Sequence, residues 1–180
     1  MKTKRSTGLF WVRNYLSWII YGSGVLLIVL LQMAPRFFPV IFNARPTPLL
    51  LFVVCVALFE GPKVGAAVGI FAGLLWDLYS FRLFGLNALI LLFISVTVGL
   101  LVQWLLRANF LSGMLLCAGG VLAHTLLDWL LCYALFLHKE TGVVLLHVYL
   151  PNALYTLVLA PFVYWLVLLM ARFLRRHRKG

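Results

Sequence analysis

Apolar residues run through this chain in blocks separated by short basic or turn-forming punctuation, and each block is long enough to be read first as a helix. The first, residues 16 to 33, holds eighteen positions without a charge and is followed at once by Pro35 and Arg36. Its basic lead of Lys2, Lys4, Arg5 and Arg13 suggests a signal peptide. The block is too long for one and lacks a small-x-small end, so it predicts an uncleaved first span. The second and third, residues 48 to 59 and 64 to 79, give only ~18 and ~24 Å of helix against a hydrocarbon core of ~30 Å. They predict either a thin helical hairpin or a re-entrant pair buried in protein. Blocks at 85 to 106, 111 to 137 and 148 to 173 are ample, and Pro161 inside the last predicts a kink there. Residues 34 to 48, APRFFPVIFNARPTP, are too aromatic for a polar loop and predict a segment lying in the interface or capping the bundle.

Within the third block the polar pattern sharpens. Gly61, Gly65, Gly69, Gly73 and then Asp77 recur every four residues. Each such step drifts about 40° around a helix, so the glycines form a spiralling stripe that lets two backbones approach closely. This predicts that the third helix is the central packing helix. A carboxylate one turn beyond costs roughly 2.5 to 3.5 kcal/mol in hydrocarbon, so Asp77 is expected to be buried and partnered; the plainer reading is an acid that ends a helix near the headgroups.

Composition turns blocks into spans. With 64% hydrophobic residues, four acids and a mean hydropathy of +1.08, a soluble globule is excluded. The expected fold is an all-α integral membrane protein of about six transmembrane helices in one domain, residues 1–180, with basic segments at 1–15 and 172–180. The net charge of +11 sits in clusters flanking the blocks, which reads as orientation rather than nucleic-acid binding. Eleven bases fall on the side of the termini, against Arg36, Arg45, Arg82 and Lys139 on the other. Both termini are therefore expected in the cytoplasm. Cys55, Cys117 and Cys132 lie inside apolar blocks without paired or metal-binding spacing and read as small core residues.

Placed by depth, the intramembrane polar residues gather in the outer half: Gln32, Asp77, Asn87, His124 and Asp128 four residues apart, then His147, Asn152 and Tyr155. Two readings stay open. The groups satisfy one another as interhelical hydrogen bonds, or Asp77, Asn87, His124, Asp128, Asn152 and Tyr155 line a cavity for a partner's helix end or a small ligand. A proton relay through His124 and Asp128 needs a third titratable partner that the sequence does not offer. No HExxH, GxSxG or P-loop occurs, so neither catalysis nor a metal or cofactor is expected.

The order of these features, with GLLWDLYS at residues 73–80, LFGLNAL at 83–89 and LPNALYTL at 150–157, resembles the MreD family of rod shape-determining membrane proteins. The resemblance implies a noncatalytic subunit of the bacterial elongation machinery in the inner membrane, working with MreC, MreB, RodA and its cognate transpeptidase in peptidoglycan synthesis. It further implies that Phe37, Phe38 and Phe42 of the outer segment lie at the contact with MreC. The family is similar in fold to the S-components of energy-coupling-factor transporters, which makes vitamin capture the alternative. Those subunits use small-residue spacing on their first span, whereas here that span offers only Gly22, Ser23 and Gly24.

Overall fold

The protein is described by a computed structural model over residues 4–34, 46–80, 84–105, 109–131 and 149–179, with side chains between residues 17 and 175. Among these residues there are six helices and no strand: α1 (Lys4–Met33), α2 (Pro48–Glu60), α3 (Pro62–Ser80), α4 (Leu86–Trp104), α5 (Phe110–Trp129) and α6 (Leu150–Lys179). Three stretches, Leu86–Trp104, Phe110–Trp129 and Leu150–Arg175, are long and apolar enough to cross a membrane. The outer segment with Phe37, Phe38 and Phe42 lies outside the described residues, as do Arg82, Lys139 and His147.

Local chemistry sets the helix ends. Pro48 opens α2 where its missing N–H would have had no partner. Gly61 closes it at φ 88° and ψ −179°, a conformation essentially reserved for glycine, and Pro62 starts α3 at once. Gly61 is thus the hairpin turn and not a member of the packing stripe; a Cβ there would meet nothing within 4 Å. α6 continues through Pro161, which withholds a bond from the Leu157 carbonyl.

The centre of the molecule is α2, not α3. Every residue from Pro48 to Leu58 is buried, and α2 touches each of the other helices. α3 instead shows Phe71 and Leu78 on a face turned away from the bundle. α2 can be enclosed because it carries no polar group before Glu60, and because its neighbours bring small surfaces to it. Gly65 of α3 would place a Cβ 2.5 Å from that of Ala57, Gly24 of α1 would crowd Phe52, and Gly120 of α5 would crowd Val54. Cys55 and Cys117, both buried thiols with sulfurs 3.7 Å apart, join α2 to α5.

Successive helices run in opposite directions. Tyr21 Oη, just past the middle of α1, donates to Glu60 Oε1 (3.1 Å), and Gln32 Nε2 near the end of α1 donates to Tyr79 Oη (2.9 Å). Arg175 Nη2 of α6 donates to the Phe59 carbonyl (3.1 Å), back at the Glu60 end. From Tyr21 onward α1 therefore runs away from the Glu60 end, toward which α6 runs, and the polar residues of α3 to α6 collect at the opposite, Asp77 end.

Candidate functional site

The Asp77 end is built on a clamp between α3 and α4. Gly69 lies against the Leu91 carbonyl and Ser95, and a Cβ on Gly73 would overlap the backbone of Ala88. That approach carries Asp77, one turn on, over the first turn of α4. Four donors converge on its carboxylate: Gly85 N–H (2.9 Å) and Ala88 N–H (3.3 Å) on Oδ2, Asn87 N–H (3.3 Å) and Asn87 Nδ2 (2.8 Å) on Oδ1. Gly85, at φ 92°, has no side chain with which to cap its own helix. Asp77 supplies the cap from the neighbouring helix, and the partial positive charge of the α4 N-terminus compensates its negative one.

Beside this clamp lies a cavity of about 310 Å³. It exists because α2 is short: thirteen residues rise ~20 Å, so its N-terminus stops at the cavity floor, where Thr47 and Leu50 line it. A helix end at this depth is tolerated when it is enclosed by protein or faces a polar cavity, and here it is tied down. Thr47 N–H donates to Thr156 Oγ1 (3.1 Å), while the Thr156 hydroxyl donates to the Asn152 carbonyl (2.7 Å). With that proton committed, the Thr47 hydroxyl is the donor in its 3.2 Å contact with Thr156 Oγ1.

The walls come from four helices. His124 of α5 stacks on Trp76 of α3, with centroids 5.2 Å apart and planes at 10°. Asp128, one turn further along α5, accepts from Tyr149 Oη at 2.8 Å. Asn87, which serves Asp77, also lines the space, so the clamp and the cavity share one side chain. Hydroxyls, amides, one imidazole and one carboxylate therefore face a common volume. The arrangement suits a guest that both donates and accepts hydrogen bonds. Among the described residues no three His, Cys, Asp or Glu side chains converge as metal ligands.

A family model described as MreD, rod shape-determining protein MreD, matches residues 12–174. The chain belongs to the MreD family. No curated protein and no solved structure matches it. As a member of that family it is a rod shape-determining membrane protein.

For this MreD-family chain, the structure brings Asn87, His124, Asp128 and Asn152 to one cavity and holds Asp77 just behind it through Asn87. Tyr155 is half-buried and is not part of the lining; on α6 its neighbours Asn152 and Thr156 take that face. Sequence reasoning missed Thr47, Tyr149 and Thr156. Thr47 had a legible signal, the capping position ahead of Pro48. Tyr149 sits in the first turn of the apolar block at 148 to 173, between His147 and Asn152, where one more polar position belonged to the same depth count.

Proposed function

We propose that this chain is a noncatalytic membrane subunit of the bacterial cell-elongation complex, a single transmembrane domain of six spans in the inner membrane with both termini cytoplasmic. In this reading its outer polar cavity receives a segment of a partner, MreC foremost, and so couples the membrane bundle to peptidoglycan synthesis with MreB, RodA and its cognate transpeptidase. The observation that carries the proposal is the cavity itself: polar side chains of α3, α4, α5 and α6 converge above the truncated end of α2, on a protein whose family determines rod shape. A bundle needing only internal hydrogen bonds would close that volume, since intramembrane polar groups are costly and each unfilled space forfeits contacts. Phe37, Phe38 and Phe42, in the segment leading to Thr47, belong to the same contact.

The test pairs function with folding. Tyr149→Phe and Asp128→Asn together remove the hydrogen bond at the cavity wall while keeping its shape. The expected result is a protein that stays folded in the membrane, with MreC lost on copurification and rod cells rounding up. Retention of MreC and of rod shape would reduce the cavity to internal hydrogen bonding. A wild-type protein purified with a stoichiometric vitamin would instead favour the transporter alternative, to which the family match lends no support.

A further inference from the structure

At the Glu60 end, opposite the polar cavity, a groove of about 830 Å³ opens between the start of α5 and the last turns of α6. That is within the ~300–1,000 Å³ typical of ligand sites. Its inner wall is aromatic: the Tyr164 ring lies 5.3 Å from that of Phe59 and 5.3 Å, edge-on, from that of Phe110. Phe162, Trp165 and Leu168 extend the apolar wall along α6, and Arg172 and Arg175 stand at its mouth. The bond from Arg175 to the Phe59 carbonyl uses one of five guanidinium N–H donors and fixes the group at the groove. Asn109, at the N-terminal end of α5, makes no side-chain cap on that helix and is part of the lining. Glu60, the acid at this end among the described residues, accepts from Tyr21 of α1 and is not part of the groove.

Length decides what fits. From Phe162 to Arg172 α6 rises ~15 Å, half of a ~30 Å hydrocarbon core, so arginines at headgroup level put Phe162 at the bilayer midplane. The groove is thus one leaflet deep, apolar along its length and cationic only at the surface. We infer that it binds an anionic diacyl phospholipid, with the phosphate between Arg172 and Arg175 and an acyl chain along Phe162, Trp165 and Leu168. A soluble anion would need the arginines but not the apolar length; a zwitterionic lipid would use the length but carry no net charge for two guanidinium groups.

Native mass spectrometry and thermal unfolding of the full-length protein in detergent test this, with phosphatidylglycerol, phosphatidylcholine and inorganic phosphate as probes. Phosphatidylglycerol is expected to be retained and to raise Tm, phosphatidylcholine to do so less, and phosphate not at all. Arg172→Gln is expected to weaken phosphatidylglycerol about fivefold, the worth of one base near an anionic surface, with Tm in the absence of lipid unchanged. Leu168→Trp fills the groove and abolishes retention with both arginines in place. Equal binding of the two lipids, phosphate matching phosphatidylglycerol, or undiminished binding by Arg172→Gln would each overturn the assignment. None of these outcomes bears on the polar cavity at the other end.

Discussion

Asp77 shows how a single charge is made tolerable in an apolar bundle. Its four donors include three backbone N–H groups, and an amide in its place offers one acceptor oxygen and turns an NH2 toward groups that are themselves donors. Asp77→Asn is therefore expected to cost about 2 kcal/mol, the range of hydrogen bonds to a charged group, and Asp77→Ala more, because every donor is stranded. Thermal unfolding in detergent measures both; wild-type Tm in the asparagine variant would refute the cap. Gly73→Ala should cost at least about 2 kcal/mol by pushing α4 away, whereas Gly22→Ala, with open space around it, should stay within about 1 kcal/mol of wild type in the same assay. The four-residue spacing made the burial of Asp77 legible. Asn87 was legible as a member of the same polar group, but the other three donors were not, since they are backbone groups of a helix start and no residue letter marks them.

Among the elements, α2 holds the central place expected of α3. A glycine stripe announces close packing, and it does pack, but its four-residue drift turns Gly65 toward α2 and Gly69 and Gly73 toward α4, so α3 serves two neighbours from the side. The apolar run of α2 was readable as a helix and its shortness as an anomaly. Its central place was not readable, because in a membrane protein an all-round apolar helix fits lipid as well as it fits a core. The difference has a measurable consequence. Phe52→Ala, in a fully buried site, should lower stability by about 3 kcal/mol in detergent unfolding, while Leu89→Ala on the outward face of α4 should change it by less than about 1 kcal/mol. Equal effects would mean that α2 is not enclosed.

For the whole molecule, the helices alternate in direction, α1 leaving the Glu60 end and α6 returning to it, and the proposed topology turns that end to the cytoplasm. Cysteines at positions 2 and 179 are expected to react with an impermeant maleimide only in opened cells, and one at position 139 in intact cells. Labelling of position 139 only after opening would overturn the proposed topology. The two ends then differ in character: hydrogen-bonding groups over a recessed helix at one, an aromatic groove under two guanidinium groups at the other.

The enclosure of α2 also has a consequence for biosynthesis. A helix of thirteen residues cannot hold itself across a bilayer, and one of the surfaces that covers it, α6, is translated last. Until α6 is released from the ribosome, α2 has a side open to lipid and a Thr47 N–H lacking its Thr156 acceptor. In a chain cleared of its own cysteines, a cysteine at Phe52, buried beside Met170 of α6, should accordingly react with a lipid-soluble maleimide on nascent chains ending before residue 149 and fall silent on the completed protein; silence on both would mean that α1 and α3 to α5 suffice. The helix made second is the last to be closed in, which leaves chains that stall late exposed at their own core.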